Sequence, residues 1–215
     1  MSKGRLISFE GLDGAGKTTQ MQLLEQWLVS RNLPYVRTRE PGGTPLGIEI
    51  RHLLLNRPDL AITPLAEAFL FQADRAQHFT NVILPTLAAG KLVITDRCFD
   101  ASIAYQGHAR GVGIELVARL SLIATQGHIP DLTVLLDLDP AQVHTRTDTA
   151  NDASGLREEQ TRFDAEAEQF HQRVREAFLV LARIHPDRIK VLDASRSPQQ
   201  LHQQIIALVE PLLED

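Results

Sequence analysis

The chain has one cysteine, one tryptophan, two tyrosines and four lysines in 215 residues, and each scarcity removes a class of explanation. A single thiol, Cys98, excludes an internal disulfide framework and fits a reducing compartment, so a cytoplasmic location is expected. No apolar run approaches the ~18 residues that a spanning helix requires, and the first apolar run begins almost at Met1, so neither a membrane span nor a signal peptide is predicted. The formal charge is −5 with acids and bases interspersed, so no basic face offers a footing for nucleic acid. The eight histidines are scattered without an H-x-x-x-H or His/Cys cluster, and no zinc site is predicted. Internal repeats, low-complexity tracts and dividing linkers are absent, so residues 1–215 read as a single domain.

What is present begins at Gly11. Gly11-Leu12-Asp13-Gly14-Ala15-Gly16-Lys17-Thr18 is a complete G-x-x-x-x-G-K-[ST] loop, followed by Thr19, and it sits between an apolar run and an amphipathic helical pattern. Glycines let successive backbone N–H groups curl around phosphate oxygens, Lys17 adds a point charge at the β/γ-phosphates, and the Thr18 hydroxyl is suited to Mg²⁺. These residues are assigned to ATP. Eighteen of the 22 basic residues are arginine, the side chain suited to forked phosphate contacts.

Short β-type runs alternate with helical patterns, the signature of a parallel sheet with helices on both faces. Strands are predicted over Leu6–Glu10, Tyr35–Arg39, Leu92–Asp96, Leu132–Asp137 and Arg188–Asp193. Thr44-Pro45, Thr63-Pro64, Asp139-Pro140 and Ser197-Pro198 each pair an N-cap residue with proline at the first helical position. The first helix, Lys17 to about Arg31, puts Met21, Leu24, Trp27 and Leu28 on one core-facing side. Pro85 bends the helical stretch 81–89 or marks its start. The polar stretch Asp148–Thr161 is expected to be exposed.

Asp96 and Arg97 end the third strand. In open α/β sheets ligands sit at the carboxyl ends of strands, which places both residues beside the phosphate loop, with Asp96 suited to Mg²⁺ or its water; the alternative is an ordinary surface pair. No N-K-x-D follows a later strand, which argues against a GTPase, and no second acid follows Asp96, which argues against a water-activating ATPase. Arg39-Glu40-Pro41-Gly42-Gly43-Thr44 is a tight turn at the same edge, either against a ligand or merely a turn. Phe71 and Arg75 lie four apart on one helical face, a ring and a guanidinium suited to a flat base, although phenylalanine at that spacing also serves as core.

The phosphate loop in the form F-E-G-L-D-G-A-G-K-T-T, the R-E-P-G-G-T turn, Phe71 with Asp74-Arg75, the Asp96-Arg97 pair and Ala101-Ser102-Ile103-Ala104-Tyr105-Gln106-Gly107 occur in order. Together they resemble the thymidylate kinase family. The similarity is dense from Leu6 to about Asp137 and resumes at Arg162-Phe163, 171–175 and 192–194. It implies a three-layer nucleoside monophosphate kinase fold with a five-stranded parallel sheet, transfer of a phosphoryl group from ATP to dTMP giving dTDP and ADP, Mg²⁺ with the ATP, and a homodimer. The alanine- and leucine-rich helices over 69–79 and 116–123 are suited to the dimer face.

The resemblance also assigns roles. Phe71 stacks on thymine, Arg75 reads its O4, Ser102 contacts its N3, and Tyr105 crowds the sugar C2′. Arg97 and Arg51 hold the acceptor phosphate, Asp13 points away from the anion-binding loop toward the 3′-hydroxyl, and Glu40, Pro41 and Gln106 belong to the substrate site. Catalysis is then positioning and charge neutralisation by Lys17, Mg²⁺ held near Thr18 and Asp96, Arg97 and a mobile arginine. Position 14 is glycine rather than arginine, so a lid over about 147–162 must supply that charge. Arg157, Arg162 and Arg146 are the candidates, with Arg146 assigned to the ATP site as the alternative, against adenine. The lid departs from the family pattern in carrying Asp148, Asp152, Glu158 and Glu159, with Thr161 where an aspartate is expected. Cys98 departs too, since tyrosine or histidine commonly follows the Asp-Arg pair, and it is read as a buried, inert thiol.

Overall fold

In β1 (Arg5–Gly11), Ile7 and Phe9 point to one side while Leu6, Ser8 and Glu10 point to the other, and all five are free of solvent. A strand buried on both faces belongs at the centre of a sheet covered by helices on each side. The computed structural model describes residues 4–142, 163 and 166–214, and it contains that sheet. β1, β2 (Tyr35–Arg39), β3 (Leu92–Asp96), β4 (Leu132–Asp137) and β5 (Ile189–Asp193) lie all parallel in the order β2-β3-β1-β4-β5. The winding reverses at β1, so a crevice opens outside its carboxyl end, where the glycine-rich loop begins.

Ile7, Phe9, Ile94, Val134 and Leu136 form one apolar layer with Met21, Leu24 and Leu28 of α1 (Lys17–Ser30) and with Leu201, Ile205 and Val209 of the C-terminal helix, Pro198–Glu214. Leu6, Val93 and Leu135 face the opposite layer. It draws on α2 (Pro45–Asn56), α3 (Pro64–His78), α4 (Leu84–Ala88), α5 (Phe99–Ser102), α6 (Ile114–Ala124) and α7 (Glu168–Ile184), with α8 being the C-terminal helix. Trp27, placed in the core by periodicity, is only half-buried and lies under the guanidinium of Arg31 at 5.2 Å.

The helix starts follow their caps. Thr44 Oγ1 accepts from Gly47 N at 3.0 Å, Ser197 Oγ from Gln200 N at 3.3 Å, and Asp139 Oδ1 from Ala141 N at 2.9 Å where a helix opens at Pro140. Thr63 makes no such bond, although α3 still opens at Pro64. Pro85 lies in the first turn of α4, directly after a π-helical turn over Phe79–Ile83, the usual accommodation of a missing N–H. β5 begins one residue later than predicted because Arg188 still belongs to the turn, its N–H bonded to His185 O at 3.1 Å.

One buried face of the sheet is partly polar. Ser8 Oγ lies 2.9 Å from Thr133 Oγ1, which donates to Asp100 Oδ2, and Arg188 closes a bidentate pair on Asp100 at 2.6 and 2.8 Å. This chain of bonds anchors α5, the short helix that carries Ser102, to β1 and β4.

Candidate active site

The loop between β1 and α1 turns on left-handed glycines, with φ of 80° at Gly14 and 94° at Gly16, the N-cap of α1. A cap without a side-chain acceptor leaves the first-turn N–H groups of α1 directed out of the helix end, a ready anion site. Lys17 is buried, and its ammonium lies 3.1 Å from Leu12 O and 3.1 Å from Asp13 Oδ1. Thr18 and Thr19 are exposed.

Asp13 does not turn fully away from the loop. Its Oδ1 touches Lys17 and also receives Nη2 of Arg97 at 2.7 Å, with 44% of the side chain exposed. Desolvation opposes its ionisation, but the charges of Arg97 and Lys17 outweigh it and hold the carboxyl well below the usual range. Arg97 leaves β3 in the left-handed region, φ 64°, with its guanidinium on Gly11 O at 3.2 Å and Tyr105 OH at 3.1 Å and its Cζ 4.8 Å from the Tyr105 ring centre. Among the described residues the carboxylate partner of Arg97 is Asp13 rather than its neighbour Asp96. Asp96 Oδ1 is buried and has no hydrogen-bond partner there. Glu10 lies behind this cluster, where burial and then the negative charge of Asp100 push its carboxyl up to about 8.

The 39–44 turn completes the crevice wall. Glu40-Pro41 is a cis peptide, Pro41 O accepts from Arg51 Nη1 at 3.1 Å, and Gly42 N donates to Asp74 Oδ1 at 3.0 Å. A side chain at Gly43 would run into the ring of His78, so this close approach of turn and α3 requires glycine. Arg51 shares its surroundings with Arg39, Asp96, Asp13 and Arg97. Desolvation, and then Arg39, lower its pKa. Arg39 was not assigned by sequence reasoning. Its signal there is its place at the head of the R-E-P-G-G-T turn, and the structure pairs it in register with Asp96.

Arg75 is fully buried. It donates to Glu40 Oε2 (2.8 Å), Gln72 Oε1 (2.9 Å), Ser102 Oγ (3.0 Å), Ser121 Oγ (3.2 Å) and Cys98 O (2.9 Å). Those bonds use Nε, both hydrogens of Nη1 and one of Nη2, leaving one N–H of the five. Phe71 is half-buried, 6.2 Å from Phe163, and Phe163 in turn stands edge-on to Tyr105 at 5.7 Å. Phe71 therefore borders both core and crevice.

Two further residues assigned to the substrate site are buried. Glu40 is buried with its carboxylate on Arg75 and His78, so any effect it has on a substrate passes through those side chains. Gln106 is likewise buried, its Nε2 donating to Glu67 Oε1 at 2.9 Å. The expected lid over 147–162, with Arg146, Arg157 and Arg162, lies outside the described residues. Cys98 has the predicted burial, which raises its thiol pKa well above the usual value.

A phosphate loop, a strand-end Asp-Arg pair and a second arginine-lined wall on a 2-3-1-4-5 parallel sheet define a P-loop kinase of the nucleoside monophosphate type. Comparison with known proteins narrows this. The model of the thymidylate kinase family matches residues 9–205, and the chain belongs to that family. It is 45% identical to the thymidylate kinase of Solidesulfovibrio magneticus over 207 residues, covering 96% of this chain and 99% of that one. It is also 45% identical to that of Carboxydothermus hydrogenoformans over 210 residues, 98% of each. The crystal structure of thymidylate kinase from Ehrlichia chaffeensis at 2.15 Å superposes with a TM-score of 0.75 at 32% identity, covering 96% of this chain and 99% of that one.

Proposed function

We infer that the chain transfers the γ-phosphoryl group of ATP to dTMP, giving dTDP and ADP for dTTP synthesis. Family membership carries the reaction. The observation that supports it in this molecule is the single oxygen of Asp13 shared by Lys17 of the phosphate loop and Arg97 of the opposite wall. Donor-side and acceptor-side cations thus stand one carboxylate apart, the spacing that brings two phosphates together.

The acceptor is already an ionised phosphate, so no general base is needed. The difficulty is aligning two polyanions, and positioning with charge neutralisation supplies the catalysis. Lys17 and the first-turn N–H groups of α1 take the donor phosphates, and Arg97 and Arg51 take the acceptor phosphate. Arg75 offers its remaining N–H to the base, Phe71 stacks on it, and Ser102, Tyr105 and Pro41 line the nucleoside side. Asp13 meets the sugar hydroxyl. The last positive charge is assigned to Arg157 and Arg162, and Arg146 to ATP, as the family resemblance implies.

Mg²⁺ fits this site. The orphaned buried oxygen of Asp96 and the exposed Thr18 hydroxyl are hard oxygen ligands. Among the described residues no group of three or more His, Cys, Asp or Glu side chains is placed to hold a metal, which suits an ion that keeps waters and phosphates as its other ligands. When bound, it neutralises charge developing on the bridging phosphate oxygens.

The single-domain organisation, the homodimer and the cytoplasmic location belong to the same reading. No described helix is long and apolar enough to cross a membrane. Phe69 on α3 and Leu116 and Ile123 on the adjoining α6 are exposed, while Phe79 is core, so the proposed dimer face is narrower than the two helical stretches suggested by sequence. A coupled ADP-release assay across dTMP, dUMP, UMP, CMP and thymidine tests the function. Highest kcat/KM on dTMP is expected, and a higher value on any other acceptor overturns the assignment.

A further inference from the structure

The backbone of Cys98 is held on both sides of its Cα. Its N–H donates to Oε1 of Glu10 at 2.8 Å, and its carbonyl accepts from Nη2 of Arg75 at 2.9 Å. Cys98 follows Arg97, whose left-handed backbone is a conformation that residues with side chains rarely adopt and that persists only when the surroundings fix it. Three bonds fix it here. Arg97 N donates to Phe9 O at 3.0 Å, Thr95 Oγ1 donates to Arg97 O at 2.9 Å, and Cys98 N donates to Glu10. The first uses a backbone carbonyl and the second lies within the turn. Only Glu10 reaches in with a side chain from another strand.

A carboxyl at the centre of a sheet is expensive to bury. Glu10 is fully buried, its Oε2 has no hydrogen-bond partner among the described residues, and its Oε1 is committed to Cys98 N. We propose that Glu10 is a positioning residue for phosphoryl transfer, fixing through the N–H of the Arg97–Cys98 peptide the left-handed turn that aims Arg97 at the acceptor phosphate. The carbonyl of Cys98, in the next peptide unit, ties that turn to Arg75, so the Cys98 backbone registers the phosphate arginine against the base arginine. The proposal rests on the role given to Arg97 above. Arg97 projects a long side chain from the turn, so a small backbone rotation displaces its guanidinium by ångströms, and a misplacement of about 1 Å costs on the order of 10²-fold in rate.

The test compares Glu10→Gln, which keeps a carbonyl acceptor, with Glu10→Met, which has similar volume and none. Glu10→Leu serves as a second acceptor-free variant should the first not fold. Each is assayed as the full chain with ATP and dTMP, with kcat expressed per folded molecule from thermal unfolding. Glu10→Gln is expected to keep most of the turnover, whereas the acceptor-free variants lose on the order of 10²-fold in kcat with little change in KM for ATP. In an Arg97→Ala background the acceptor-free substitution should add almost nothing, because both act through one guanidinium. A purely structural role would instead make the two effects multiply, and that result overturns the proposal. So does an acceptor-free variant as fast as wild type, or a Gln variant as slow as the Met one. Wild-type turnover in Arg97→Ala alone brings down the reading of the site beneath it. A slow Arg97→Ala beside a fast Glu10→Met defeats only the Glu10 inference.

Discussion

Arg75 donates its Nε–H to Oε2 of Glu40 at 2.8 Å, and neither side chain meets solvent. The other Glu40 oxygen lies 2.9 Å from His78 Nδ1, and His78 Nε2 lies 2.6 Å from Thr38 Oγ1, so a buried line of polar groups runs from β2 to the base side of the crevice. Desolvation works against a charged Glu40, yet the Arg75 guanidinium and the His78 hydrogen bond keep its pKa low. Removing one member of a buried pair leaves the other charge uncompensated, at a cost of about 3–5 kcal/mol. Glu40→Ala should therefore lower the melting temperature by on the order of 10 °C and raise KM for dTMP more than that for ATP. Differential scanning calorimetry and steady-state kinetics read the two effects, and a stable variant with unchanged KM for dTMP would contradict this role.

Lys17 and Arg97 meet on one Asp13 oxygen, and both are expected to act mainly in the transition state. Replacing either by alanine should lower kcat by on the order of 10²-fold or more while far-UV circular dichroism stays that of wild type. Phe71→Ala should act chiefly on dTMP affinity, measured by calorimetric titration.

Asp74 carries a pH signature in stability. Burial first, and the negative charge of Glu40 second, push its carboxyl up to about 6 from 3.8. A carboxyl raised in the folded state binds its proton more tightly than the unfolded chain does. Stability is therefore greatest below the unfolded value, falls as pH rises from about 4 to 6, and levels off above. The rise from 3.8 to about 6 is worth about 3 kcal/mol. Asp74→Asn keeps an acceptor for Gly42 N and removes the ionisation, so urea unfolding should show the variant gaining on wild type across that window. A difference that stays flat from pH 4.5 to 7.5 would count against this.

Phe69 is 52% exposed and Ile123 74% exposed, on adjoining helices. If this face closes a homodimer, Ile123→Glu should shift the sedimentation mass from about twice the 23.9 kDa chain toward that of one chain, with the secondary structure intact. A mass of one chain for the wild type would remove the proposed interface.

Local chemistry determined the phosphate loop, the five parallel strands and three of the four capped proline starts. Glycine φ freedom, strand periodicity and N-cap hydrogen bonds act within a few residues of chain, so they can be read one segment at a time. The order of the motifs likewise carried the family. Tertiary structure decided which side chains those motifs turn inward. Glu40 and Gln106 lie within segments assigned to the substrate site, yet the Glu40 carboxylate and the Gln106 Nε2 meet Arg75, His78 and Glu67, all brought in by the single helix α3. The buried line from Ser8 through Thr133 and Asp100 to Arg188 spans residues up to 180 apart in sequence, and no local pattern announces it. The same holds for Glu10. In the sequence it is the residue before a glycine-rich loop, and only the fold brings the N–H of Cys98 to its carboxyl, because a buried polar group must find its partner wherever the packed chain has placed one.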